Sequence, residues 1–230
     1  MTPTPEQPIR DAATIILVRR DGPRPGVLMG MRGAAAVFMP SKYVFPGGAV
    51  DPEDAVLPLA RPLSAEQRAR LLAEPLGEGR PVDPVALAGA ALRELAEETG
   101  LLLGRPGAGC DLPGFGPAGL VPDAGALQFV FRAITPPGRP RRFDARFFIA
   151  DAADVVGDPD DFSAACDELS HLHWVPIAEA RSLNLPFITE VVLAEVDELI
   201  ADAGPGPLPA PRSVPFFDNR TANPRFAQIA

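Results

Sequence analysis

Arg93-Glu94-Leu95-Ala96-Glu97-Glu98-Thr99-Gly100-Leu101 sets three carboxylates at i, i+3 and i+4, which lie on one face of an α-helix. Like charges this close repel unless a positive group sits among them. The hard divalent cations Mg²⁺ and Mn²⁺ prefer oxygen donors of this kind. Arg93 stands four residues before Glu97, so it can pair with that carboxylate along the helix and orient it. A plainer reading of Glu94 to Glu98 alone is a solvated helix face with one ordinary ion pair. The terminal Gly100 and an upstream Phe45-Pro46-Gly47-Gly48 turn favour the metal reading.

Arg-Glu-Leu-x-Glu-Glu-x-Gly-Leu resembles the core of the Nudix box, the signature of the Nudix hydrolase superfamily, and Gly47-Gly48 resembles its glycine turn. In the family pattern an acid follows the second glycine after five positions and stands seven residues before the arginine; here Asp54 takes that place, and residues 55 to 92 separate it from Arg93. The box is therefore split by an insertion of 31 residues. A branch resembling the animal coenzyme A diphosphatases carries a long insert at this point. Phe38-Met39-Pro40, Arg142-Phe143-Asp144-Ala145-Arg146-Phe147-Phe148 and Leu185-Pro186 look like that branch too. The extra motif of bacterial coenzyme A pyrophosphatases is met at Leu28 and Arg32 and not at Val37 or Ser41.

The resemblance implies an α/β (α+β) fold, a mixed sheet sandwiched between helices, with a helical insertion inside the box. It also implies metal-dependent hydrolysis of a phosphoanhydride in a nucleoside diphosphate derivative, with coenzyme A or acyl-coenzyme A as substrate and Mg²⁺ or Mn²⁺ as cofactor. ADP-ribose or a dinucleotide is the alternative substrate, and a silent Nudix-like binding module the alternative class. Glu97 and Glu98 are the implied principal metal ligands, with Glu94 as ligand or general base. Glu168, ahead of Trp174-Val175-Pro176, is the other candidate base. Arg32, Arg146 and the amides of Gly47 and Gly48 are expected to meet substrate phosphates. Asp54 gives outer-sphere or structural support, or caps a loop.

At 230 residues and 47% hydrophobic content the chain can bury a large core, and one domain over 1–230 is expected, with an insert at about 55–84 and a proline-rich tail at about 204–230. Net charge is −9, and arginine supplies all but one of the 21 basic residues. That balance argues against a nucleic-acid surface, since such surfaces need clustered basic side chains. A small diphosphate remains an acceptable partner when cations bridge it to acids, and a homodimer is left open. Two cysteines without metal spacing, no signal-like N-terminus and no apolar run of ~20 residues point to a reduced, cytoplasmic setting away from membranes.

Local signals predict strands at Ala13 to Arg20, Val27 to Arg32, Tyr43 to Phe45, Leu127 to Ile134, Arg142 to Ala150 and Leu169 to Val175. Helices are expected at Leu63 to Glu74, where Ser64-Ala65-Glu66-Gln67 resembles a capping box, at Val85 to Thr99, at Ile177 to Arg181 and at about Ile188 to Ala203. His171 and His173 would share one face of a strand, a spacing that suits two metal ligands but more often marks solvated side chains. The insert helix is expected at the rim of the site, serving substrate selection, and Phe216, Phe217 and Phe226 suggest that the tail docks.

Overall fold

Ile9–Arg19 (β1) is apolar at nearly every position from Ala12 to Val18, the mark of a strand covered on both faces. Ala13, Ile15 and Leu17 enter one core, Ile16 and Val18 the other. The further strands are Gly26–Arg32 (β2), Tyr43–Val44 (β3), Gly47–Ala49 (β4), Gly104–Pro106 (β5), Leu120–Pro122 (β6), Gln128–Ile134 (β7), Arg142–Asp151 (β8), Leu169–Pro176 (β9), Val214–Asp218 (β10) and Arg225–Ile229 (β11). Helices are Ala65–Leu72 (α1), Pro84–Thr99 (α2), Ile177–Ala180 (α3) and Phe187–Ala203 (α4). This computed structural model describes residues 7–34, 36, 39–77, 82–204 and 206–230; Val37, Phe38 and part of the linker expected at 77–84 lie outside them.

One mixed sheet runs β11-β10-β7-β8-β1-β2-β3, with β4 on β1 and β9 on β2. β1 pairs with β8 in parallel from Ile9 to Val18. Helix α2 buries Leu87, Ala88, Ala91, Leu92 and Leu95 against one face, and α4 buries Val192, Leu193, Val196 and Ile200 against the other. The α/β sandwich expected from the sequence is therefore present. No helix among the described residues is long and apolar enough to cross a membrane.

Three parts differ from the sequence expectation. Ser64 caps α1 by accepting the Gln67 amide, but the Gln67 side chain does not close a capping box. It donates to Leu127 O at 2.7 Å and accepts from Phe129 N at 2.8 Å, standing in for a neighbouring strand beside β7. The insert helix thus lies on β7 and on the tail, where Arg70 donates to Pro211 O at 2.6 Å and Arg212 O at 2.9 Å, and those contacts fix it. The tail does more than dock: β10 and β11 form a hairpin whose Phe216 and Phe217 pair in parallel with Arg132 and Ala133. Finally, His171 takes φ +53° at a bulge opposite β2, so the alternation resets between Ser170 and His173 and the same-face histidine pair does not form. His173 Nδ1 lies 2.7 Å from His171 O instead.

Arg132, Asp144 and Arg146 form a charged layer inside the first core. Asp144 takes Arg132 bidentately at 2.8 Å on both oxygens, and Arg146 at 3.1 Å. Arg132 also donates to Ala73 O and Glu74 O at the end of α1, and its guanidinium stacks 4.2 Å over the Phe216 ring. Because Phe216 is fully buried and covers this layer, Phe216→Ala is expected to destabilise the fold by about 3–5 kcal/mol. Equilibrium urea unfolding measures it; a loss under ~1 kcal/mol would mean the hairpin is peripheral.

Asp123 anchors the start of the insert. It accepts from Arg61 Nε at 2.8 Å and Nη2 at 2.7 Å, from Arg105 Nε at 2.7 Å and from Gly125 N at 3.1 Å. Burial pushes its pKa up, but the Arg61 and Arg105 hydrogen bonds outweigh that and hold it below the usual value of 3.8. A depressed carboxyl stabilises the fold above the unfolded pKa and loses that contribution as pH falls through the folded one. Asp123→Asn should therefore destabilise by about 1–2 kcal/mol at pH 7 and progressively less below pH ~4, read from unfolding curves across pH.

Candidate active site

The acidic stretch occupies the last turns of α2, a helix that Asp83 opens by accepting the Val85 amide and Gly100 closes at φ +77°. The left-handed closure and the loop beyond it are fitted together. A Cβ at position 100 would come within 3.0 Å of Ala164, and Cys166 N donates to Glu97 O at 2.8 Å. That bond satisfies a helix-terminal carbonyl and brings the segment carrying Glu168 over the end of α2.

Opposite lies β4, paired antiparallel with β1 through Ala12↔Ala49, Ala13↔Gly48 and Thr14↔Gly47. The Gly47 amide, expected to face a phosphate, donates to Glu98 Oε2 at 2.8 Å. Gly48 is glycine for want of room: a Cβ there would sit 2.1 Å from Glu94 Oε1. The glycine turn and the carboxylates therefore form one unit.

Arg93 joins the two halves of the split box. Its Nε donates to Asp54 Oδ1 at 2.8 Å and Nη2 to Asp54 Oδ2 at 3.1 Å and Ala49 O at 3.0 Å. Nη1 donates to Glu94 Oε1 at 2.8 Å and Glu97 Oε2 at 3.2 Å. Burial disfavours the charged guanidinium, but Asp54 and Glu94 outweigh it and raise the Arg93 pKa. Asp54 is fully buried and also accepts the Asp51 amide at 2.8 Å, within the 3₁₀ turn Pro52–Val56. It supports Arg93 and caps its own turn.

Glu98 is 1% exposed, and its Oε1 has no hydrogen-bond partner. Burial, then the neighbouring Glu94, push its carboxyl up to about 8 against the pull of the Gly47 amide. Burial raises Glu94 as well, opposed by Arg93. A buried acid with an orphaned oxygen, beside a second, part-buried one that a single arginine already shares with Asp54 and Glu97, fits a hard divalent cation as its missing partner. Among the described residues no group of three or more His, Cys, Asp or Glu side chains is already gathered as a metal cage.

Of the other residues singled out in the sequence, Arg32 and Glu168 meet each other, Nη2 to Oε1 at 2.6 Å, and both act electrostatically on Glu98. Arg146 does not join them. Its side chain is 0% exposed and pairs with Asp11 at 2.5 Å and Asp144 at 3.1 Å. In the sequence, Arg142, Asp144 and Arg146 alternate like a solvated strand face; α1 and the tail cover it, which local spacing does not reveal.

No family model matches the chain. It is 31% identical to the acyl-coenzyme A diphosphatase NUDT19 of Gallus gallus over 61% of this chain and 54% of that protein. The chain spans about half the length of the curated relatives it matches. Among solved structures, it resembles a Nudix hydrolase from Alicyclobacillus acidocaldarius with a TM-score of 0.59 and 32% identity, over 82% of this chain and 90% of that one. With a match this complete, and a glycine turn locked against the acids of α2 despite the insertion, the chain belongs to the Nudix hydrolase family.

Proposed function

We propose that this protein hydrolyses the phosphoanhydride of coenzyme A or its acyl esters, using a divalent cation held by Glu94, Glu97 and Glu98. The observation that carries the reading is the buried Glu98 Oε1, left without a hydrogen-bond partner beside the carboxyl of Glu94. Mg²⁺ or Mn²⁺ there would neutralise phosphate charge and acidify the attacking water.

The chain's own groups divide the remaining work. Arg93 and the Gly47 amide fix the carboxylates before substrate arrives, so little reorganisation is left for the reaction. Arg32 binds a phosphate oxygen, matching its planar fork to the anion. Glu168 accepts the proton of the attacking water as the new O–P bond forms and the anhydride P–O bond breaks, its electron pair leaving with the departing phosphate. The coenzyme A assignment draws on the relationship to NUDT19 and on the insert that splits the box.

The deciding experiment is product release from coenzyme A, acetyl-coenzyme A, ADP-ribose and a dinucleotide, each with Mg²⁺, Mn²⁺ or chelator. Metal-dependent cleavage with the highest kcat/KM on a coenzyme A substrate is expected. Cleavage that survives exhaustive chelation would remove the metal from the reading, and preference for ADP-ribose would replace the substrate.

Glu97→Gln and Glu98→Gln should each lower turnover by more than about 100-fold, beyond the usual effect of losing a supporting partner. Folding should hold, because Gln keeps the shape and its side-chain oxygen at position 98 can still accept the Gly47 amide. Turnover at saturating metal, with thermal melts as the control, checks this; wild-type rates in both variants would overturn the ligand assignment.

A further inference from the structure

Arg32 and Glu168 are unequally held. Arg32 ends β2 with its amide donating to Lys42 O at 3.0 Å and its carbonyl accepting Ser41 N at 3.1 Å, opposite Leu169 of β9. Its side chain is 21% exposed, and its Nε is buried with no hydrogen-bond partner. Glu168 lies just before β9, at the end of the segment that crosses α2, with a side chain 52% exposed. A guanidinium on a strand, carrying an unused donor, is thus paired with a half-exposed carboxylate just ahead of the neighbouring strand.

We propose that the Arg32–Glu168 ion pair is an exchange latch. Before substrate binds, Glu168 occupies the guanidinium; the incoming diphosphate takes Arg32, and the displaced carboxylate turns to the attacking water. The inference rests on the reading of this site as a diphosphate-binding one. Three physical points carry it. An ion pair with an exposed partner contributes little, so a multiply charged phosphate that engages the guanidinium fork displaces it. The orphaned Arg32 Nε gives that phosphate a second donor which Glu168 leaves unused. Once a phosphate takes Arg32, the half-exposed Glu168 carboxylate is left free to accept from the attacking water, so its availability coincides with occupancy of the site.

The test is calorimetric binding of α,β-methylene-ADP, which resists cleavage, with Mg²⁺, to the wild type, Glu168→Ala, Arg32→Ala and the double variant. Glu168→Ala should bind about two- to fivefold tighter, because the competitor for Arg32 is gone. Arg32→Ala should bind more weakly, and the gain from Glu168→Ala should vanish in the Arg32→Ala background. A gain that persists there would mean that Glu168 merely repels anions, and the latch is wrong. Unchanged or weaker binding in Glu168→Ala, or no binding by any of the four proteins, also overturns it. Turnover separates the latch from the catalytic assignment: tighter binding with undiminished kcat in Glu168→Ala keeps the exchange and removes Glu168 as the base.

Discussion

Arg93 is the constraint on which the acidic end of α2 depends. Arginine carries five N–H donors in a planar fork, and here each of the five is engaged. Two reach Asp54, one the Ala49 carbonyl, and one each Glu94 and Glu97. The group therefore clamps the glycine strand, the turn ahead of the insert and two acids of the helix at once. Lysine, a compact charge without the fork, has no means of reproducing this set.

That clamp explains why 31 added residues leave the site intact. The insert departs from a turn tied to α2 by Asp54 and re-enters at the Asp83 cap, so both ends are fixed where they meet the helix. At Gly89 the helix has no side chain, and a Cβ would come within 2.5 Å of Asp54 O, so turn and helix pack directly. With its ends held, a longer connection adds little closure entropy.

The elements that position the candidate site were legible because their signals are local. Asp83-Pro84 and Gly100 bound α2 within one residue of expectation, and the apolar run of β1 identified the central strand. What escaped depends on partners distant in sequence. The tail strands sit in proline-rich sequence, and their parallel pairing with β7 follows from no local period. Arg146 carries the residue type of a phosphate ligand, yet Asp11 and Asp144 enclose it. Gln67 follows a sound capping rule, and a strand backbone lying beside it offered better partners. The Arg32–Glu168 contact joins two residues that the sequence flagged for separate roles.

The charged layer beneath α1 and the tail ties two segments 141 residues apart, through Arg70 to Pro211, into one cooperative unit. Arg132 bonds the end of α1 and stacks on Phe216, while Arg142 donates to Asn219 O. Peeling away either segment strips a buried guanidinium of its acceptors or its cover, a penalty that an apolar seam would not impose. Helix α1 and the terminal hairpin therefore brace one another, and opening either one exposes the contacts of the other. An insertion of this kind is a structural member of the domain, wedded to a strand pair added at the opposite end of the chain.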